Sequence, residues 1–389
     1  MSRSAFLKII FTAAAVVCCG LHPESPDRFR TDDSGIVLAR KLFVTAAPET
    51  GRYFSLLSPL SLEINLTMLQ RGSDGETREQ LNALLENGEE DFSPGVLAER
   101  LAVIGRSSGA AIRSRMLYDS SATALKNDFL RDIRKNGLCT ILPADLSGSK
   151  AEAGEWHVFD LFSEFEFSGE WLHAFEPENV KENFFRAPGL SAEKYSMMAL
   201  DRVRLAGAAD EHWVSLFLPF REDAFELMLL KPRAVLPLEA LPGALTAGTV
   251  AAHIGKAERQ LVNVRLPKFK LSSRPELSDG LRRLGVELDN KADFSRMFEP
   301  FNLKKLQSTD SMRIAGIVQE NSFFISETHA GGRSETVSRG FGFGCSVALP
   351  EEQSPAGWFV TDRPFVFLLL HRPTASVLFI GSYSFPPEK

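Results

Sequence analysis

Cysteine is scarce in this chain, with four in 389 residues. Cys18 and Cys19 lie close to the N-terminus, so only Cys139 and Cys345 remain in the rest of the sequence. Two distant cysteines make no disulfide framework, and the fold must be held by its core. Basic charge is also in deficit. Forty-four Lys and Arg face fifty Asp and Glu, the formal net charge is −6 and the pI is near 5.8. That balance argues against a general affinity for nucleic acid. Arg113, Arg115, Arg131, Arg134 and Lys135 come nearest to a basic cluster and read as scattered surface charge. Beyond the first twenty residues no apolar run is long enough to cross a bilayer. Catalytic motifs are missing too. There is no nucleophile elbow and no zinc spacing of the metalloprotease type, and Gly340, Gly342 and Gly344 are followed by no lysine, so they make no phosphate loop. His157 and His173 stand near Glu155 and Glu170 without a candidate nucleophile, and seven histidines among many acids pair by chance. Neither catalysis, nor a metal, nor a cofactor is expected.

What is present is an apolar fraction of 44%, ample for a core, in a chain long enough for one large domain or two. Residues 1–20 read as a secretory signal peptide. Arg3 and Lys8 supply the positive charge, Ile9 to Val17 the short apolar run, and Cys18-Cys19-Gly20 the small residues before cleavage. A lipid-anchored form through Cys18 or Cys19 is the alternative. Residues 21–31 form a polar linker. Helical spacing follows from Asp32 to Ala46, then a short strand at Tyr53–Leu57. Ser58 caps a helix that has Pro59 at its first position. This helix is apolar nearly all round and is therefore buried, so the Asn65-Leu66-Thr67 sequon goes unused. Thr77 to Leu85 begins another helix.

The most informative stretch runs from Ile317 to Pro364. It opens with a strand, Ile317–Ile325, and leads to another, Phe365–Leu370. Between them lie more than thirty residues almost free of large apolar side chains before Phe341. A loop of that length in a compact domain is functional or misassigned. Taken alternately, one face reads Ala330, Gly332, Ser334, Thr336, Ser338, Gly340, and the other Gly331, Arg333, Glu335, Val337, Arg339. Side chains of an extended chain alternate between faces. The loop can therefore become a strand with a small inward face and a mostly polar outward one; a solvated surface loop is the plainer alternative.

Several segments resemble the serpin family. The first is Leu57-Ser58-Pro59-Leu60-Ser61-Leu62 with Leu66-Thr67-Met68-Leu69 and the run from Gly72 to Leu81. Phe167-Ser168-Gly169-Glu170-Trp171 with Phe175, then Met197-Met198, follow in family order. Val264 to Leu271, Leu284-Gly285 and Ala292-Asp293-Phe294-Ser295 are similar to a second signature. Arg363-Pro364-Phe365 and Phe379-Ile380-Gly381 with Pro386 are similar to the C-terminal one. The resemblance covers about Asp32 to Pro386.

It implies an α+β fold, a single domain over 32–389 with three β-sheets, a surrounding set of helices and an exposed reactive-centre loop at about 327–358. It also implies a secreted, monomeric inhibitor whose partner is a serine protease, bound as a covalent acyl complex. The cut loop would insert into the central sheet, a strand addition that releases stored strain. Glu327 stands at the hinge, with Ala330, Gly332, Ser334 and Thr336 as the inserting face. Counting forward from Glu327 puts the reactive bond at Phe343-Gly344. Counting back from Pro355 and Phe359 lands near Glu351, so the loop is long, and Arg339, Phe341 and Leu349 are the alternative reactive residues. Ser58, Ser61, Ser163, Trp171 and Gln319 fall in the region where the sheet opens. Three departures are visible. The hinge reads Thr328-His329-Ala330-Gly331-Gly332-Arg333 instead of a glycine, a threonine and an alanine run. Ser163 and Gln319 replace the usual asparagine and histidine under the sheet. The segment from Ser147 to Gly154 is too short for the family helix over the front of the sheet, which is expected to be missing or shortened. These departures keep a non-inhibitory, ligand- or partner-binding serpin open, and a cysteine-protease inhibitor with Cys345 incidental.

Overall fold

The computed structural model describes residues 34–45, 54–85, 94–146, 157–187, 193–238, 240–288, 292–299, 314, 316–336 and 357–384. The expected signal peptide and linker lie outside these residues. The helices are α1 (Ser34–Thr45), α2 (Pro59–Gly72), α3 (Gly75–Leu85), α4 (Pro94–Arg106), α5 (Asn127–Asn136), α6 (Ala240–Ala244), α7 (Ala247–Gly255) and α8 (Ser278–Arg283). The first strands are β1 (Phe54–Leu57), β2 (Ala110–Asp119), β3 (Thr140–Ala144), β4 (Phe159–Glu170), β5 (Val180–Phe185), β6 (Glu193–Ala209), β7 (Trp213–Pro219) and β8 (Phe225–Pro232). They are followed by β9 (Glu258–Pro267), β10 (Phe269–Ser273), β11 (Gln319–Ile325), β12 (His329–Thr336), β13 (Trp358–Val360), β14 (Phe365–His371) and β15 (Ser376–Tyr383).

Local chemistry accounts for the main boundaries. Ser58 Oγ accepts the Ser61 N–H at 3.4 Å and Pro59 occupies the first turn of α2, so the helix starts where the cap and the missing donor dictate. All of α2 except Arg71 is buried, Asn65 included. The strand expected from Ile317 begins at Gln319 instead. The Ile317 N–H is taken by Ser278 Oγ at 3.1 Å and Val318 bridges to Glu276, so both residues serve the preceding turn.

The strands make two hydrogen-bonded sheets. Nine strands follow the order β1-β15-β14-β8-β7-β6-β9-β13, with β5 also on β6. This sheet joins what the resemblance counts as two, because the seventeen-residue β6 pairs with β5 at one end, with β7 at the other and with β9 along most of its length. An irregularity between Leu200 and Val203, with Arg202 at φ 53°, bends β6 between its two roles. Six strands form the second, central sheet in the order β10-β11-β12-β4-β2-β3. Helix α2 packs beneath it against β4 and β12. The ring stack Phe323–Phe367, with centroids 4.9 Å apart, binds the two sheets to each other. Between β3 and β4 no described residue is helical; residues 147–156, where the family helix would fall, lie outside the description. Among the described residues no helix is long and apolar enough to cross a membrane.

Candidate functional site

The start of the long loop lies inside the central sheet. β12 is antiparallel to β11 on one side, from Gln319↔Thr336 to Ile325↔Ala330, and antiparallel to β4 on the other, from His329↔Glu170 to Glu335↔Glu164. Ala330, Gly332 and Ser334 are buried, while Arg333 is exposed and Glu335 half-buried. The small inward residues have a measurable reason. A Cβ on Gly332 would sit 2.6 Å from Phe323 Cδ2 and 2.8 Å from Phe379 Cε2. Its neighbour Gly331 faces the other way yet is also buried, because Phe324 lies over it; a Cβ there would meet the Phe167 carbonyl oxygen at 2.7 Å. The glycine pair at the hinge, which departs from the family pattern, is what the strand's seat has room for.

Beneath the sheet, the side chains of Gln319 and Ser163 both reach α2. Gln319 is fully buried and binds Ser58 twice: its Nε2 donates to the Ser58 carbonyl at 2.8 Å, and its Oε1 accepts the Ser58 N–H at 2.8 Å. β11 is thus tied to the capped start of α2, where Ser58 Oγ and Ser61 Oγ stand 3.2 Å apart. Ser163 Oγ donates to Asn65 Oδ1 at 2.5 Å, tying β4 to the middle of the same helix. Asn321 Nδ2 donates to the Leu56 carbonyl at 2.9 Å. The Ser334 hydroxyl, opposite Asn321 across the strand pair, is buried and finds no hydrogen-bond partner among the described residues. Asn65 and Asn321 belong to the site as well, although in the sequence Asn65 reads only as part of a sequon and nothing sets Asn321 apart.

The hinge is clasped from below. Trp171 stacks on Phe220 at 4.6 Å and its Nε1 donates to the Ser326 carbonyl at 2.9 Å. The Trp171 and Phe175 N–H groups donate to the Thr328 and Glu327 carbonyls. Glu327 accepts from Lys268 Nζ at 3.0 and 3.1 Å. Its own backbone N–H, and next Lys268, hold its carboxyl below the usual carboxylate range. His329 is half-exposed and has partners: Nδ1 lies 2.8 Å from Thr328 Oγ1 and Nε2 3.6 Å from Glu170.

After the loop, β13 lies parallel to β9, with Trp358 over Arg265 at 4.7 Å. Asp362 follows, largely buried among Lys231 at 3.2 Å and Arg363 at 3.1 Å. Burial raises the cost of its charge, but Arg363 and Lys231 outweigh that and its carboxyl titrates low. Burial pushes the Lys231 ammonium down from its ordinary value.

One constellation resembles a nucleophile with its base. Ser215 Oγ lies 2.9 Å from His253 Nδ1, and His253 Nε2 lies 3.1 Å from Asp210 Oδ2. Ser215 and His253 are 1% and 2% exposed, and Ser215 Oγ also bonds the backbone of Ala208. No substrate carbonyl reaches that oxygen; the three groups fasten α7 to β6 and β7. The Cys139 thiol is pushed up to about 12 by burial, far from a reactive thiolate. The reactive-bond candidates Phe343 and Gly344, the alternatives Arg339, Phe341 and Leu349, and Cys345 lie outside the described residues. Thr336 is placed by its backbone, opposite Gln319.

A protein whose own loop supplies a strand between two others of its central sheet belongs to a restricted structural class. The family described as Serpin (serine protease inhibitor) matches residues 157–386, and the chain belongs to the serpin family. It is 22% identical to glia-derived nexin of Mus musculus over 369 residues, covering 85% of this chain and 87% of that one. It is 24% identical to a serine protease inhibitor of Cyanea capillata, covering 85% and 91%. A loop-inserted structure of a cleaved ovalbumin mutant superimposes with a TM-score of 0.73 at 18% identity, covering 92% of this chain and 100% of that one.

Proposed function

We propose that this chain is a secreted inhibitor of a serine protease, with a chymotrypsin-like enzyme as its target, acting as a suicide substrate. The protease attacks the loop at Phe343-Gly344, forms an acyl bond, and is carried along as the cut loop completes its entry into the central sheet. One observation carries this reading: β12 fits between β11 and β4 with a ladder on both sides and a small face over α2. Each added backbone bond contributes about 1 kcal/mol net, so a dozen residues can supply enough to distort a bound active site. Phe343 would fill a deep apolar pocket, a burial worth about 2 kcal/mol, and Gly344 leaves room for the protease to close.

The test is to mix the protein with chymotrypsin, elastase and trypsin. A complex that survives boiling in detergent, a gain in heat stability on cleavage, and a released fragment beginning at Gly344 support the reading. Clean cutting with no complex and no gain in melting temperature refutes inhibition. A fragment starting at Gly340, Gly342 or Pro350 moves the bond. The second reading, a non-inhibitory serpin, is favoured by the eight residues of β12 already seated in the sheet, which leave less of the loop to insert. The same gel separates the two.

A further inference from the structure

The face of the central sheet opposite α2 carries charges in a pattern that spans three strands. β4 presents Glu164, Glu166 and Glu170 on this face, at alternate positions around Ser168. β12 presents His329, Gly331, Arg333 and Glu335. In the observed register His329 meets Glu170 and Arg333 meets Glu166. The Arg333 guanidinium also pairs with Glu164, which is mostly buried, and its Nε is 3.4 Å from Glu166. From the far side of β4, Arg113 of β2 reaches Glu166 at 3.0 Å and Glu164 at 3.3 Å. Two carboxylates thus lie between two guanidinium groups, one of which arrives only with β12.

We infer that Arg333 is a positioning residue that selects the register in which the loop enters the sheet, an inference that rests on the insertion reading above. A slip by two residues keeps every side chain on its own face. It brings Glu335 opposite Glu166 in one direction, a like-charge pair; in the other Arg333 moves from Glu166 to Glu164 and His329 leaves Glu170 for Ser168, so there the charges discriminate less and the inward face decides. The inward face agrees: either slip replaces Gly332 with Ser334 or Ala330 where Phe323 and Phe379 leave no room for a Cβ. The two faces act at different moments. Steric fit is felt only on contact, whereas unscreened charge acts over about 8–10 Å at moderate salt. Arg333 therefore guides the strand before Gly332 locks it. An acyl bond hydrolyses with time, so slower entry releases the protease.

The test uses the full chain and two independent readouts. The first is hydrogen exchange of the 329–336 amides in the uncut protein. Arg333→Glu should speed their exchange about tenfold at low salt, since two attractions become repulsions. Arg333→Lys should stay near the parent, and Arg333→Glu with Glu166→Arg should recover part of the protection, since Arg113 and Glu164 still oppose the exchanged charges. Salt should speed exchange in the parent. If Arg333→Glu does not fold, Arg333→Gln gives the same reading at smaller amplitude. The second readout is the yield of detergent-stable protease complex. Exchange equal in Arg333→Glu and parent at all salt concentrations overturns the inference, as does parent exchange at free-loop rates. Charge-dependent exchange with no protease complex in any variant leaves Arg333 as the register residue and sinks inhibition instead. Equal complex yield from parent and Arg333→Glu keeps inhibition and removes Arg333 from it.

Discussion

In the nine-stranded sheet, β14 and β15 are buried at every position from Phe365 to His371 and from Ser376 to Tyr383. In the central sheet, β11 alternates: Gln319, Asn321, Phe323 and Ile325 point inward, while Glu320, Ser322 and Phe324 are at least partly exposed. Around β14 and β15 the first sheet is covered on both faces, and moving either strand would expose apolar area on each. In the central sheet β4, β11 and β12 are covered on one face. Its strands hold the elements below partly through a few directional polar contacts, Gln319 to Ser58 and Ser163 to Asn65 on α2 and Asn321 to Leu56 on β1. Such contacts break and re-form at modest cost, about 1 kcal/mol each, and a sheet held that way can admit a strand. Fixed scaffold and adjustable sheet meet at Phe323 and Phe367.

Phe367→Ala tests the fixed half and should have the largest effect. The ring is fully buried against Phe269 and Phe323, and its loss costs about 3–5 kcal/mol. Denaturant unfolding should show that loss alike in uncut and cleaved protein. A loss confined to the cleaved form would place the adjustable region deeper than the comparison allows.

Acid should act next, again on the fixed sheet. His371 is fully buried in β14, with Nε2 3.0 Å from Ser107 Oγ and Nδ1 2.7 Å from Thr374 Oγ1. Burial pushes its pKa from 6.5 to about 4. Between those values the unfolded chain takes a proton that the folded chain refuses. Stability therefore falls as the pH drops from 6.5 to 4, by roughly 3 kcal/mol in all. Carboxylates held low, such as Asp201 and Asp362, add their losses below that window. Melting temperature followed from pH 7 to 4 should slope in the parent and flatten in His371→Asn; parallel curves would clear the histidine.

Gly332→Val acts on the adjustable half alone. Overpacking against Phe323 and Phe379 costs about 1–3 kcal/mol in the inserted state. Because β12 is already seated, the melting temperature should fall in the uncut and the cleaved protein alike. A parent-like melting temperature in the uncut variant would mean that the strand does not seat at this depth.

The two halves also differ in how plainly the sequence announces them. A strand buried on both faces writes itself as an apolar run, and Phe365–Leu370 is readable at sight. The start of α2 is equally plain, because Ser58 and Pro59 act on neighbours. β12 is legible as a small-residue alternation that could enter a sheet, but its register depends on rings at Phe323 and Phe379 supplied by other strands. The polar ties are less legible still. Gln319 reads as the loss of a histidine until Ser58 is seen beside it, and Asn65 reads as part of a sequon until Ser163 is. Nothing local marks Glu164 and Glu166 as partners of Arg333, since strand acids facing solvent look alike. Ser215, His253 and Asp210 converge from three elements, and only burial tells that they fasten.

The smallest effect sharpens the boundary between hinge and sheet. Lys268 and Glu327 pair at 3.0 Å just where β10 begins and the hinge leaves β11, but the lysine is 59% exposed. An exposed pair of this kind contributes less than about 1 kcal/mol. The hinge carbonyls, by contrast, are held by Trp171 and Phe175, whose rings are buried. If the hinge is anchored from below, Lys268→Ala should lower the melting temperature of the uncut protein by only a degree or two, about what a fraction of a kcal/mol gives in a large domain. The difference should vanish in half-molar salt, where the Debye length falls to a few ångströms. Trp171→Phe keeps an aromatic ring against Phe220 but removes the donor to Ser326 and the rest of the buried indole, and it should cost more at every salt concentration. If Lys268→Ala proves the costlier of the two, the hinge is held by its surface charge and the anchor beneath it is secondary.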